Sequence, residues 1–276
     1  MRLRYHLPRA DLRDFVRAYY LFETDERTVQ PIAAEIGNVR CLLSGGGCFH
    51  MPDGSREPFS PLTLLGPTMG AYLMEAEPGT RAFGVGILPR GWGILLGVAA
   101  EELADRIIDF MTIAGAPARA TAEEIRNAST LPQMAAAADR FFARELGRRA
   151  RRRAYPWALE RWLTDSDDLG LDALTDMMDM SRRQIDRISK QFFGASPKIL
   201  QRKYRVLRAA DRIQFDHAAN WLDAAGPAFY DQSHFIKEFK TFIGATPGEY
   251  ARNQAALTAA IRSGRRDLGR SPLSRL

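Results

Sequence analysis

The sequence YDQSHFIKEFKTFIGATP, residues 230–247, carries the strongest fold signal in the C-terminal part of this 276-residue chain. It opens with Asp231, which is suited to capping a helix, continues with apolar side chains at helical spacing, and closes with glycine and proline. Fifty residues earlier, MSRRQIDRISKQFFGASP at 180–197 repeats that design. An internal repeat of this kind predicts two copies of one small structural unit.

Each copy predicts a helix with one buried face and one polar face. In the first copy Ser181 is the expected N-cap, and Ile185, Ile188 and Phe192 share one side of the helix. A shorter apolar segment and a tight turn at Asp179 precede it. This order is the helix-turn-helix arrangement, in which the second helix enters the major groove of DNA.

These signatures resemble the DNA-binding domain of AraC/XylS-type transcription regulators. The resemblance rests on residues 181–187, on the closing sequences 194–197 and 244–247, and on 230–235, and it extends over about 157–252. It implies two helix-turn-helix units joined by a long helix, which the sequence predicts from about Lys198 to Phe215. The family arrangement places two recognition helices in successive major-groove segments on one face of the DNA.

The resemblance also implies which side chains contact DNA. Arginine pairs with guanine edges, and aspartate accepts a hydrogen bond from cytosine. The expected base contacts of the first helix are Arg182, Arg183, Asp186 and Arg187, and those of the second are Gln232, Ser233, Ile236 and Lys237. Phosphate contacts are expected from Lys190, Lys198 and Lys240. The alternative for an arginine is a surface ion pair, such as Arg182 or Arg183 with Asp186.

Several residues depart from the family pattern. Asp179 stands where glycine usually makes the turn, although aspartate tolerates the left-handed backbone. Ser189 replaces a usual core phenylalanine, and Thr175 replaces a small alanine. In the second unit Asp223 replaces an aliphatic core residue, and a Gly-Pro pair at 226–227 shortens the first helix.

The sign of the net charge differs between the two halves of the chain. The net charge of +6 is the sum of −3 for residues 1–145, with 15 Arg and 18 acidic residues, and +9 for residues 146–276, with 24 basic and 15 acidic residues. A basic half suits a polyanionic partner. The arginine-rich run at 148–153 and Pro156 mark the boundary. The predicted division is an N-terminal domain at 1–147, a basic linker at 148–156, a DNA-binding domain at 157–252 and a mobile basic tail at 253–276.

Short apolar runs separated by turn-forming residues predict β-strands in the first half, at 39–43, 48–51, 62–65, 71–74 and 83–88. Helical spacing predicts a helix over 8–22 and a helical end over 94–147, with a loop at 112–122. Cys41 and Cys48 flank a glycine-rich turn, which predicts a hairpin with two reduced thiols on facing strands. The fold class is therefore α+β, with an N-terminal β-rich domain flanked by helices and a C-terminal all-α double helix-turn-helix.

The segments 65–67 and 83–92 resemble the sensor half of some AraC-type regulators. That resemblance implies a cupin-like barrel that binds a small effector or dimerises. Large side chains suited to the barrel interior are Phe49, Tyr72, Met74, Phe83 and Trp92, but core packing explains them equally well, so the sequence assigns no ligand site.

Several kinds of site lack their signatures in this sequence. Four histidines, two cysteines, no CxxC pair and no close His/Glu cluster predict no metal site and no cofactor. No phosphate-binding loop and no nucleophile elbow occur, so no catalytic residue is predicted. The absence of a long apolar stretch and of a signal-peptide pattern predicts a cytoplasmic protein without a membrane partner.

These observations predict a sequence-specific transcription regulator, not an enzyme, whose N-terminal domain senses a small molecule, dimerises, or does both. The expected partners are double-stranded DNA, a small-molecule effector, a second copy of the chain and, for an activator, RNA polymerase. One alternative is an enzyme, either a cupin-like catalytic domain or a DNA-repair alkyl acceptor, carried by a DNA-binding module. Another is a first half that serves only as a dimerisation scaffold.

Overall fold

Two antiparallel sheets form the N-terminal domain in the computed structural model, which describes residues 1–149, 155–165, 170–215, 223, 225, 229, 231–253 and 264. The larger sheet has the strand order β1 (Arg2–His6), β2 (Val16–Thr24), β9 (Thr80–Ile87), β4 (Asn38–Ser44), β7 (Leu62–Leu65) and β10 (Ile107–Asp109). The smaller sheet has the order β3 (Thr28–Ile32), β8 (Tyr72–Ala76), β5 (Gly47–His50) and β6 (Arg56–Pro58).

The five strands predicted between residues 39 and 88 are confirmed as β4, β5, β7, β8 and β9. The predicted barrel is wrong. The described strands form two separate hydrogen-bonded sheets, which face each other and do not close into a single barrel. Gly84 in β9 leaves room for the side chain of Tyr20 in β2, since a Cβ atom at Gly84 would lie 1.9 Å from the Tyr20 ring. The α+β class itself is confirmed.

The helix predicted over 8–22 is wrong. Residues Ala10–Leu12 form a single 3₁₀ turn, and Val16–Thr24 form strand β2 between β1 and β9. Both faces of β2 are covered, with Tyr19 packed towards the helices and Phe22 towards the space between the sheets. A strand covered on both faces lacks the polar alternation that would separate it from a helix in sequence.

The helical end predicted over 94–147 holds only in part. A short helix α1 (Pro89–Gly91) continues into a π turn (Trp92–Leu96), a 3₁₀ turn (Ala100–Glu102) follows, and residues 107–109 form strand β10. Helix α2 (Met111–Asn127) spans the predicted loop 112–122. It is kinked at Gly115, with φ +60°, and Pro117 opens its second part, where a missing N–H costs little. Helix α3 (Leu131–Arg149) packs on α2.

The hairpin between Cys41 and Cys48 is also wrong. Cys41 lies in the larger sheet, where its thiol points to the carbonyl of Ala122 in α2 at 3.9 Å, and Cys48 lies in the smaller sheet. Gly45 makes the corner between the two sheets with φ +73°, where a Cβ atom would collide with Thr80. Both cysteines are buried and unbridged.

Six helices form the described C-terminal part: α4 (Trp157–Asp165), α5 (Leu171–Met178), α6 (Arg182–Phe193), α7 (Pro197–Phe215), α8 (Gln232–Ile243) and α9 (Pro247–Asn253). They share one core that includes Leu174, Ile185, Leu200, Phe235 and Phe239. The predicted long helix from 198 to 215 is confirmed as α7. Most of the predicted linker and tail, and most of the segment around Trp221 and Gly226, lie outside the described residues.

Candidate nucleic-acid interface and effector cavity

Local hydrogen bonds determine where α6, the helix that the sequence predicts to be the first recognition helix, begins and ends. The Ser181 hydroxyl accepts from the backbone N–H of Gln184, and the Gln184 side chain accepts from the backbone N–H of Ser181 at 3.0 Å. This reciprocal pair is a capping box. At the other end Gly194 takes the left-handed backbone with φ +88°, which terminates the helix. The predicted N-cap is confirmed.

The second recognition helix, α8, repeats that construction fifty residues later. The Asp231 carboxylate accepts from the backbone N–H of His234 at 2.8 Å, and Gly244 ends the helix with φ +85°. Both helices have 12 residues, and their first inward-facing side chains, Ile185 and Phe235, are fully buried. The repeat in sequence is therefore a repeat in structure.

Both recognition helices expose their N-terminal turns, which is the end that enters the major groove in helix-turn-helix proteins. The exposed residues among those predicted to contact DNA are Arg182, Arg183, Arg187, Lys198, Gln232, Ser233, Lys237 and Lys240. Asp186, Lys190 and Ile236 are half-buried. Each predicted contact is thus at least partly accessible on the two helices or at the start of α7.

Ion pairs on α6 differ from the expected ones. Arg182 pairs with Asp172 of α5, and Lys190 pairs with Asp186 one turn earlier at 2.7 Å. Arg183 and Arg187 have no ion-pair partner among the described residues. Exposed pairs contribute little to stability, about 0–1 kcal/mol, so Arg182 and Lys190 can exchange these partners for a phosphate or a base at small cost.

The departures from the family pattern are accommodated locally. Asp179 ends α5 in the left-handed backbone with φ +49°, as predicted for an aspartate at a glycine position. Ser189 is fully buried, and its hydroxyl donates to the carbonyl of Ala195 at 2.7 Å, so the buried polar group is satisfied. Asp223 is exposed and therefore causes no burial of a charge.

One residue that sequence reasoning missed is Lys203. It lies on α7, yet it is 1% exposed, and its ammonium donates to the backbone carbonyls of Glu35 at 2.9 Å and Thr68 at 2.8 Å in the N-terminal domain. The sequence signal was its position on the apolar stripe of α7, between Leu200 and Leu207. A lysine within an apolar stripe indicates a buried, paired ammonium.

The C-terminal end of α8 also contacts the N-terminal domain through backbone hydrogen bonds. The carbonyl of Thr241 accepts from the N–H of Ala71 at 2.8 Å, and the carbonyl of Phe242 accepts from that of Ala34 at 2.7 Å. Carbonyls in the last turn of a helix have no partner within the helix. Here the N-terminal domain supplies the donors, and it thereby fixes the orientation of the second recognition helix.

The C-terminal end of α6 contacts the N-terminal domain through side chains. Phe192 packs over Gly93 in the π turn, where a Cβ atom would lie 2.2 Å from the ring. Gly194 lies against Pro67 and Ala104. Both recognition helices therefore rest their C-terminal ends on the N-terminal domain and leave their N-terminal ends exposed.

A cavity lies between the two sheets of the N-terminal domain. Its walls are mostly apolar and come from both sheets, as with Phe22 of β2, Leu42 of β4, Phe49 of β5 and Met74 of β8. The cavity volume is about 50 Å³, several times the roughly 10–15 Å³ that one water molecule needs. An apolar cavity with a few polar groups is the usual form of a small-molecule site.

Arg40 is the polar centre of this cavity wall. Its guanidinium donates from Nε to the Tyr20 hydroxyl at 2.9 Å and from Nη2 to the Glu35 carboxylate at 2.9 Å and the Tyr72 hydroxyl at 2.8 Å. It also lies 5.0 Å from the centre of the Phe49 ring. Nη1 is buried without a hydrogen-bond partner among the described residues. An unpaired buried N–H donor costs about 1–3 kcal/mol, which a ligand oxygen would recover.

Glu35 connects this network to Lys203. Its carboxylate binds Arg40 and accepts from the Tyr72 hydroxyl at 2.6 Å, while its backbone carbonyl accepts from Lys203. Burial raises the pKa of Tyr72 well above its usual range, so its hydroxyl stays a neutral donor. Glu35 thus contacts Arg40 in the cavity wall through its side chain and Lys203 of α7 through its backbone.

Of the five predicted interior side chains, Phe49 and Met74 line the cavity. Tyr72 contacts Phe49 and contributes its hydroxyl to the Arg40 network. Phe83 instead stacks on Tyr19 in the core beneath the helices, and Trp92 packs against Gly37 near the domain interface. The sequence did not predict a role for Arg40, because Arg40 lies on β4 and meets Tyr72 only where β8 of the other sheet faces it.

A family model described as a helix-turn-helix domain matches residues 174–253. Among solved structures, ToxT from Vibrio cholerae O395 is 9% identical, with a TM-score of 0.48, over 87% of this chain and 98% of that one. Unsaturated-fatty-acid-bound ToxT from V. cholerae strain SCE256 is 9% identical, with a TM-score of 0.48, over 84% and 93%. The AraC-like transcriptional activator CuxR is 14% identical, with a TM-score of 0.30, over 80% and 91%.

A search among curated proteins gives no significant match. Among the described residues, no helix has the length and apolar character needed to cross a bilayer. The family match covers both recognition helices, their caps and the closing glycines, which are the residues that carried the resemblance in the sequence. Residues 174–253 are therefore a helix-turn-helix domain.

Proposed function

We propose that the chain is a sequence-specific transcription regulator that places α6 and α8 in successive major-groove segments and adjusts its DNA affinity to a small molecule in the N-terminal cavity. The DNA-binding part of this proposal rests on the two capped helices, whose N-terminal turns are exposed. Two such helices held by one core contact two groove segments at a fixed spacing of about one helical turn of DNA.

The residues divide into two roles under this proposal. Arg183 and Arg187 contact base edges, because their guanidinium groups are exposed and form no ion pair within the described part of the chain. On α8 the base contacts are Gln232, Ser233 and Lys237, with Ile236 packing on a thymine methyl. Lys190, Lys198 and Lys240 contact phosphates, and Arg182 and Asp186 exchange their present ion pairs for DNA.

The effector is a mostly apolar molecule that presents one acceptor oxygen, with a carboxylate as the strongest case. The apolar walls of the cavity recognise the body of the molecule, and Nη1 of Arg40 supplies the unmatched donor. A hydrogen bond from a guanidinium to a carboxylate is charge-assisted and about twice as strong as a neutral one. Binding there alters the Arg40–Glu35 pair, which lies next to the contact between Glu35 and Lys203.

DNA binding by the purified full-length protein should be sequence-dependent and steeply salt-dependent. Selection from random duplexes should yield a motif with two segments about 10–10.5 base pairs apart. The logarithm of affinity for that motif should fall linearly with the logarithm of salt concentration, by about 0.9 per phosphate contacted. Lys240→Ala should reduce the slope by about 1 and weaken all sequences equally, whereas Arg119→Ala, an exposed site on α2, should change neither. Equal affinity for all duplexes would contradict the proposal.

Arg40→Met should remove the preference for an acidic ligand. We expect octanoic or phenylbutanoic acid to raise the thermal midpoint of the parent protein more than the corresponding primary amide does. An acid at one hundred times its Kd stabilises the folded protein by about 2.7 kcal/mol relative to the protein without ligand. In Arg40→Met the acid and the amide should stabilise equally. Arg119→Ala, which also removes one positive charge, is the matched control and should behave as the parent. An acid preference that persists in Arg40→Met would place the ligand elsewhere.

A further inference from the structure

Three side chains with metal-binding atoms meet on the outer face of the smaller sheet. Along β5 the side chain of Phe49 points into the cavity, so Cys48 and His50 point to the opposite side. Cys48 is paired across the sheet with Glu75 of β8, which brings the carboxylate to the same side. The three residues are thus held by the backbone of two adjacent strands and do not depend on a loop.

The distances among their donor atoms are those of a metal coordination triangle. Cys48 Sγ lies 3.3 Å from His50 Nε2 and 3.5 Å from Glu75 Oε2, and His50 Nε2 lies 3.0 Å from Glu75 Oε2. Ligand bonds of tetrahedral zinc give edges of roughly 3.5–3.7 Å to sulfur and roughly 3.3–3.4 Å between nitrogen and oxygen. Each edge is within a few tenths of an ångström of that geometry.

We propose that Cys48, His50 and Glu75 bind a zinc ion, with the fourth position taken by water. A thiolate, an imidazole and a carboxylate together form a donor set that zinc accepts and that magnesium and calcium do not favour. Cys48 is buried, while the His50 side chain is 38% exposed, so the site opens to solvent on the histidine side. This site is separate from the proposed effector cavity and lies on the other face of β5.

Two arginines beside the cluster leave the donor atoms available. Arg27 binds Oε1 of Glu75 at 2.6 Å, so Oε2 remains directed at Cys48 and His50. The Glu75 carboxylate therefore accepts from Arg27 through one oxygen and faces the other two donor atoms through the second. Arg56 donates from Nε to the sulfur at 3.1 Å, a contact of the kind that outer hydrogen-bond partners make to metal ligands.

The alternative explanation is that Cys48, His50 and Glu75 only hydrogen-bond to one another. A measurement of metal binding distinguishes this alternative from a coordination site. A cluster that only forms hydrogen bonds should not bind a cation, because two positively charged arginines lie beside it. A coordination site should bind the cation despite the charge of these arginines. The sequence predicted no metal site because His50 and Glu75 are 25 residues apart, and only the β5–β8 register brings them together.

Cobalt(II), the spectroscopic substitute for zinc, tests the proposal in the chelator-treated full-length protein. We expect one equivalent to produce a thiolate-to-cobalt charge-transfer band in the near ultraviolet, and zinc to abolish that band by displacement. Cys48→Ser should lose the band, and His50→Gln and Glu75→Gln should weaken cobalt binding by at least tenfold. Cys41→Ser, which removes the other buried thiol of the domain, should retain the band.

The proposal is overturned if the parent protein shows no charge-transfer band. It is also overturned if Cys48→Ser keeps the band unchanged, whether or not Cys41→Ser loses it. His50→Gln guards against misfolding of the cysteine variant, because the half-exposed ring can be replaced without disturbing the core. A folded His50→Gln protein, judged by circular dichroism, that binds cobalt as tightly as the parent would also contradict the site.

Discussion

Lys203→Met lowers the thermal midpoint of the protein by roughly 5–15 °C. The substitution keeps most of the side-chain volume but removes the ammonium that donates to the carbonyls of Glu35 and Thr68. Hydrogen bonds to a charged group contribute about 1.5–3 kcal/mol each, and the Thr68 carbonyl is left in a buried site without this donor. Allowing for the desolvation that methionine avoids, the net loss is roughly 2–4 kcal/mol, at about 2–4 °C per kcal/mol.

Lys198→Met is the matched control for that measurement. Lys198 lies on the same helix, five residues earlier, and is exposed, so its replacement should leave the midpoint unchanged. Thermal and urea unfolding of both variants, followed by circular dichroism, give the comparison. A Lys203→Met protein that melts with the parent would show that the two carbonyls do not depend on the ammonium.

The same variant should separate ligand binding from its effect on DNA. Arg40 is bonded to the side chain of Glu35, whereas Lys203 is bonded to its backbone carbonyl, so an acid that binds the parent at Arg40 should still bind Lys203→Met. The change in DNA affinity that the acid causes should diminish, because the link from Glu35 to α7 is gone. Coupling of this kind requires a difference in contacts between the two states, and Lys203 is the contact that the structure offers. Full retention of the ligand effect on DNA would exclude this route.

The parts of the fold that the sequence predicted well depend on neighbours in the chain. A cap acts on the backbone three residues away, as Ser181 and Asp231 do, and a closing glycine acts on the turn in which it lies. Such interactions can be recognised from a short stretch of sequence because the atoms involved are separated by few bonds. The repeat of this pattern fifty residues later then predicted that both segments are recognition helices.

The parts that the sequence did not predict depend on distant pairings. Lys203 meets partners that precede it by 135 and 168 residues, and Arg40 acquires its role only from the strand arrangement. Distant pairings also explain why β2 was predicted as a helix. Both of its faces are covered in the fold, so its sequence lacks the alternation of apolar and polar residues expected of a strand. Residues 112–122 were predicted as a loop from their glycine and proline, yet the alanines that surround those two residues favour helix strongly.

Arg187→Ala reduces affinity for the selected DNA motif by about 1–3 kcal/mol, a factor of roughly 5–150, and relaxes the preference at one base position. Arg187 is exposed on α6 one turn beyond Arg183, and neither has an ion-pair partner among the described residues, so neither must give up a protein contact to bind a base. An arginine that donates two hydrogen bonds to guanine loses both on truncation, and alanine cannot replace them.

Specificity, and not affinity alone, distinguishes this role from a phosphate contact. Affinity of Arg187→Ala for a random duplex should change little beyond the loss of one charge, whereas Lys240→Ala should weaken random and selected duplexes by the same factor. Fluorescence anisotropy with the selected motif, its single-base variants and a random duplex at one salt concentration measures all three quantities. If Arg187→Ala weakens both kinds of duplex equally, Arg187 contacts the backbone, and the base contacts of α6 must come from Arg182 and Arg183 at its first turn.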